Sequence, residues 1–147
     1  MAKKRARRRS ARPRIPKKAA ELIRLERVCR VATAGAAGLP HLVPVCHVLV
    51  GDKLYFGSGD DGRKVLNLRE NPQLAVTVDI YSEAWSQLRG VMVQGRARLI
   101  ERGPAFRRIR DRLYEKYTHY SREAALSPSD STIVELTPTN VFSWGLD

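Results

Sequence analysis

Two cations, Arg63 and Lys64, stand side by side in the stretch "SGDDGRKVLNLRENPQLAVTVD" of residues 58–79. They follow an acidic, glycine-rich turn and precede a short amphipathic run, with Val65 and Leu68 on one side, that stops at Asn71-Pro72. If the turn leads into a helix, free backbone amides, the positive end of the helix and two cationic side chains converge on one point, a combination suited to a phosphate. The same pattern also fits a surface helix whose Arg63 and Lys64 pair with Asp60, Asp61 or Glu70.

Other chemistries find less support. His41, His47 and His119 show no HExxH or other metal spacing, so no metal site is expected. Cys46 and His47 are neighbours, and in an extended strand they face opposite ways, which argues against a thiolate–imidazole couple. Cys29 and Cys46 lack CxxC spacing and read as small core residues in a reducing compartment. No GxSxG elbow and no GxxxxGK[ST] phosphate loop occurs.

The chain has 147 residues, enough for one domain, and a formal charge of +12. That charge is localised: residues 1–18 hold ten of the 27 Lys and Arg and no acid, leaving 17 bases against 15 acids in residues 19–147. The expected organisation is therefore a basic tail, 1–18, and a nearly neutral domain, 19–147. The tail is either a solvated leader or a weak contact for nucleic acid or an anionic surface. No apolar run has the length of a signal peptide core or a membrane span, so a soluble, cytoplasmic protein is expected.

The elements that must position Arg63 and Lys64 are mostly strands. A short helix begins at Pro16, with Ala20, Ile23 and Val28 on one side. "CRVATAG", "LPHLVPVCHVLV" and "KLYFGS" read as successive strands, followed by "PQLAVTVDIYS" and "GVMVQGRARLIE" with two-residue alternation. From Gly103-Pro104, the spacing of Phe106, Ile109, Leu113, Tyr117 and Tyr120 marks a helix. "TIVELTPTNVFSWG" closes the chain with one or two strands bent at Pro138. The predicted fold is mainly β, a small antiparallel barrel with flanking helices. Side chains fill a barrel of this size, so a ligand belongs outside it, in a groove or between subunits, which points to a dimer.

The order and spacing of "RVATAGAAGLPHLVPVCHVLVGDKLYFGSGDDGRKVLNLRENPQLAVTVD", "RGVMVQGRARLIE" and the closing "VFSWGL" resemble the pyridoxamine 5′-phosphate oxidase-like family of split barrels that bind FMN or the deazaflavin coenzyme F420. The resemblance spans about residues 20–146 and implies a homodimer of six-stranded antiparallel split barrels, with a flavin-type ring in a groove at the subunit interface. It assigns the cofactor phosphate to Arg63 and Lys64, the ring-lining backbone to Val43, Pro44, Val45 and Cys46, and the ribityl-phosphate arm to Phe56, Gly57 and Ser58. It places Gly90 where relatives often carry a ring-contacting glutamine, and Trp144 near the cofactor edge. The vitamin-processing oxidases carry an Arg and a Lys at the positions of Val43 and Val48 and a basic C-terminal substrate motif, all absent here. The expectation is thus hydride transfer with a small-molecule substrate, FMN and F420 both remaining open. No catalytic side chain is required, because the protein orients the reactants and excludes water. In the insert "YSEAWSQLR", Tyr81, Trp85 and Arg89 are candidate substrate-pocket residues, Trp85 serving equally well as a packing anchor. Two further readings stand beside this one: a haem or cofactor carrier on the same barrel with His41 or His47 as axial contact, and a nucleic-acid-associated protein acting through its tail.

Overall fold

Alternating apolar residues build a single curled antiparallel sheet, seen in a computed structural model that describes residues 14–147. Most of the basic tail, residues 1–13, lies outside the described residues. In chain order the elements are α1 (Lys17–Leu25), β1 (Cys29–Ala34), β2 (Pro40–Val45), β3 (Val48–Val50), β4 (Lys53–Gly59), α2 (Arg63–Glu70), β5 (Gln73–Ile80), a 3-10 turn (Trp85–Gln87), β6 (Arg89–Ile100), α3 (Pro104–Lys116), α4 (Tyr120–Glu123) and β7 (Ser131–Trp144).

The strand order is β2-β1-β5-β6-β7-β4-β3, which puts β2 and β3 on opposite edges. Only Cys46 and His47 separate them in sequence. Three Cα steps reach at most about 11 Å, so the two edges must approach each other there, and the sheet curls into a split barrel. This crossover also corrects the strand count. The described residues carry seven strands rather than six, because the run 40–50 is two strands with different partners, β2 on β1 and β3 on β4.

Two apolar clusters lie on the two faces of the sheet. The inner cluster joins Val31, Phe56, Val76, Val93 and Leu136 to Ala19 and Ile23 of α1 and Leu68 of α2. The second lies beneath α3, where Phe106, Ile109 and Leu113 are fully buried against Val48, Tyr55, Ile100 and Ile133. Each such side chain contributes roughly 1.5 to 3 kcal/mol by burial.

Several boundaries differ from the sequence expectation. Ile15 is buried in the inner cluster and α1 starts at Lys17, so a domain boundary between 18 and 19 cuts through the first helix. Val28 lies beyond α1 and is exposed, because the helix ends at Leu25. The helix expected through Tyr120 breaks at Tyr117, whose extended backbone caps α3, although both tyrosines still pack on the second cluster. The closing segment is one long strand. Its register shifts where Gln94 opposes Asn140 and Gly95 opposes Pro138, leaving Thr139 as an extra residue beside a proline that cannot donate to the ladder.

Candidate functional site

Arg63 opens α2, and Gly62 is its N-cap, with no side chain capping the first turn. The sheet determines what lies beside it. Ser58, at the end of β4, sits so close that a Cβ on Gly62 would stand 2.8 Å from Ser58 Oγ, and Gly62 N–H donates to Gly59 O at 3.0 Å. Glycine thus eases the close approach of turn and strand, where a side chain would press on the Ser58 hydroxyl and the Gly59 carbonyl. Further along α2, Asn67 Nδ2 donates to Thr33 Oγ1 of β1 at 3.1 Å, and Glu70 Oε2 accepts from Ala36 N–H at 2.6 Å, anchoring the helix across the opening between β1 and β4.

Among the described residues, Arg63 and Lys64 form no ion pair. Glu70 is engaged with the β1–β2 turn instead, so the surface-helix pairing considered from sequence is not what the fold makes. Lys64 is half-buried, and burial pushes its ammonium below the ordinary lysine range. An uncapped helix N-terminus, an exposed arginine and a desolvated lysine without a carboxylate make a place whose chemistry suits an anion.

The other expected site residues divide between the faces of the sheet. Phe56 and Ser58 point inward with their partners Val134 and Thr132, whereas Gly57 faces the α3 side, where a Cβ would press on Leu126 and the Tyr120 hydroxyl. A cavity of about 510 Å³ there is lined by Gly57, Ser58, Asp60, Asp61 and Asp130. Its three carboxylates, Asp60, Asp61 and Asp130, make it hostile to a phosphate. On edge strand β2, Val43 and Val45 share the inner face with their partners Val31 and Cys29, while Pro44 turns outward opposite Arg30. Cys46 has left the ladder and is partly exposed.

Gly90 and Trp144 are direct partners on the outward face. The indole of Trp144 fills the space a side chain at 90 would take. One rim therefore holds Gly90, Trp144 and the insert: Tyr81 and Trp85 are strongly exposed, and Arg89 pairs with Ile80 while its Nη1 donates to Gln87 O at 2.7 Å. Trp85, 79 % exposed, is no packing anchor within the chain. The fold thus brings Ser58, Arg63 and Lys64 together, and Tyr81, Trp85, Arg89, Gly90 and Trp144 together, as two separate groups.

The sequence reading missed a corner built by α1, α3 and the β2–β3 crossover. His47 is fully buried and its Nε2 lies 2.7 Å from Ile23 O, which makes Nε2 the protonated nitrogen and leaves Nδ1 a buried acceptor with no partner. Lys116 Nζ donates to Glu26 O at 2.8 Å and approaches His47 Nε2 at 3.4 Å. Burial, then the Lys116 charge, pushes the imidazole down to about 4, and burial followed by Arg27 pushes Lys116 down to about 8. The signal for this corner was the single lysine at the end of a helix face otherwise filled by arginines. With Nε2 bonded to Ile23 O and the whole ring buried, His47 presents no exposed nitrogen for the axial contact considered from sequence. His41 is half-buried, with an unpartnered Nδ1. No group of three metal-ligating side chains occurs among the described residues, and none of their helices is long and apolar enough to cross a membrane.

The family model for pyridoxamine 5′-phosphate oxidase matches residues 15–145. The chain belongs to that family. A search of curated proteins gives no significant match. Among solved structures, the fold is similar to the haem storage protein HutZ of Vibrio cholerae (TM-score 0.74, 16% identity, covering 88% of this chain and 94% of that one). It is also similar to a FAD-binding protein of Mesorhizobium loti (0.70, 23%, 86% and 90%) and to an F420 reductase (0.70, 21%, 87% and 98%). At these identities the likeness concerns the fold. The family's phosphate-bearing cofactors fit the uncapped, unpaired cations of α2. A side-chain contact to the ring from position 90 does not fit, because Trp144 occupies that space.

Proposed function

We propose that the protein is an oxidoreductase that uses FMN or the deazaflavin coenzyme F420 for hydride transfer with a small organic substrate. The observation that carries this reading is the half-buried, unpaired Lys64 beside Arg63 at the uncapped start of α2. In this reading Arg63 and Lys64 hold the phosphate, Ser58 and the 62–64 backbone orient it, and the β2 backbone from Val43 to Cys46 flanks the ring. Bound, the cofactor supplies the hydride chemistry, and the chain contributes binding, orientation and exclusion of water.

The two residue groups lie on opposite faces of one sheet, so the proposed site is completed by a second copy of the chain, one contributing the cations of α2 and the other the Gly90–Trp144 rim. An outward face with ladder rows Leu42–Ala32–Ala75 and Pro44–Arg30–Thr77–Met92–Phe142 supports this dimer. Leu42 and Phe142 on it are 65% and 59% exposed, a cost that a partner removes.

The test is an absorption spectrum of the purified protein with titration of both cofactors. FMN gives two bands, one in the near-ultraviolet and one in the blue, and F420 gives one violet band; Arg63→Ala/Lys64→Ala should lose the bound cofactor. A Soret band, or unchanged retention in the double variant, rejects the reading; the first would favour haem carriage, which the likeness to HutZ supports.

A further inference from the structure

The positive charge of the folded part is concentrated on two helices. Residues 14–27 and 102–116 carry eleven bases and four acids, whereas the other described residues carry nine bases and eleven acids. None of the salt bridges among the described residues involves a cation from either segment. Residues 1–13 add seven bases and no acid, so they can only strengthen this charge.

Five of these cations share one side of the molecule. Arg108, Arg112 and Lys116 recur at four-residue spacing on the α3 flank that meets α1, a row about 12 Å long. Arg24 of α1 joins Arg112 and Lys116 around a cleft of about 290 Å³ floored by Val48 and Leu49. Arg27 extends the row, its Nη2 donating to Lys116 O at 2.7 Å. Glu115 also lines the cleft and is paired with none of these cations. Crowding of this kind also shows in Lys116, whose ammonium is held down by burial and then by Arg27.

We infer that the α1–α3 face is itself a binding surface for a nucleic-acid strand, contacted through its phosphates. Four of the five cations are arginines, whose planar forks match phosphodiester oxygens. The row is long enough for about three phosphate steps at about 3.4 Å each. A cleft between two helices receives a ridge of phosphates, while a bilayer presents a flat surface. Sequence readout is not implied, because phosphate contacts position without specifying. The surface lies apart from Arg63 and Lys64, so it does not depend on the proposed cofactor.

Anisotropy with labelled duplex DNA and single-stranded RNA of equal length tests this, using the full chain, the chain lacking residues 1–13, and Arg24→Gln/Arg108→Gln/Arg112→Gln. Circular dichroism and a thermal melt accompany each protein. At 0.1 M salt the triple variant should bind at least about tenfold more weakly, with the slope of log K against log salt shallower by roughly 2 to 3. The truncated chain should keep salt-dependent binding with a slope of at least about 2, a measurement that does not require the triple variant to fold. The tighter arm identifies DNA or RNA. Loss of all binding on truncation, wild-type affinity in a folded triple variant, or capture by phosphatidylserine vesicles without nucleic-acid binding would each overturn the inference.

Discussion

Two charged places in this small barrel have opposite fates. Glu135, in the middle of β7, is 4% exposed and saturated: Arg98 donates to it through Nε and Nη2 at 3.0 and 3.1 Å, Tyr55 Oη at 2.9 Å, and Lys53 Nζ lies 3.5 Å away. Lys64 and Arg63 at the start of α2 have no such partner. A buried charge that has used all its acceptor capacity holds strands together, here β4, β6 and β7. A desolvated charge left unpaired weakens the fold and persists where something outside the chain completes it.

The largest expected effect lies on the unpaired side. Removing both Arg63 and Lys64 should cost about 3 to 6 kcal/mol of cofactor binding, from two charge-assisted contacts of roughly 1.5 to 3 kcal/mol each, read by isothermal titration. The same contrast predicts that Lys64→Met leaves the melting temperature of the cofactor-free protein unchanged or higher, since it removes an unpaired, half-buried charge.

Glu135→Ala should destabilise by about 3 kcal/mol in urea unfolding, because it strands Arg98, Lys53 and Tyr55. Burial alone would raise the Glu135 carboxyl, yet hydrogen bonds from Arg98 and Tyr55 bring it down to about 2 from an ordinary 4.5. Its folded value being depressed, the contribution is complete above pH 4.5 and fades as pH falls towards 2. A melting profile that stays flat across that window in the wild type would remove the contrast.

His47 sharpens the comparison from a third position, a neutral buried base beside a cation. With its imidazole pushed down to about 4 from 6.5, the unfolded chain binds the extra proton between these values. Stability should therefore fall as pH drops from 6.5 to 4, and His47→Gln should flatten that part of the profile whatever its baseline cost. The smallest effect concerns the rim. Gly90→Ala should displace the Trp144 indole at a cost of about 1 to 3 kcal/mol and shift its fluorescence, with little change in phosphate affinity.

Much of this was legible in sequence, for reasons that particular residues make plain. The alternation of Leu74, Val76 and Val78, and of Val91 and Val93, maps onto the inner face because a strand buried on one side leaves a two-residue period. The Gly-turn, Arg63-Lys64 and Asn71-Pro72 bracket α2 correctly because helix boundaries depend on local chemistry. The break at Cys46-His47 was not legible, since both halves are equally strand-like and only the identity of their partners, β1 and β4, separates them. The split of the site between two faces was hidden for the same reason: pairing Gly90 with Trp144 is a long-range event that neither residue announces. Lys116 and His47 meet only because the ends of α1 and α3 do.

The central claim, that Arg63 and Lys64 grip a phosphate, is tested most directly by the affinities of FMN and riboflavin, and of F420 and its phosphate-free deazariboflavin, for wild type and for Arg63→Ala/Lys64→Ala. The account predicts that the wild type prefers the phosphate-bearing member of at least one pair by about 100-fold or more, and that the double variant binds both members of that pair alike. Equal binding of both members by the wild type in both pairs, or a preference that survives the double substitution, would contradict it.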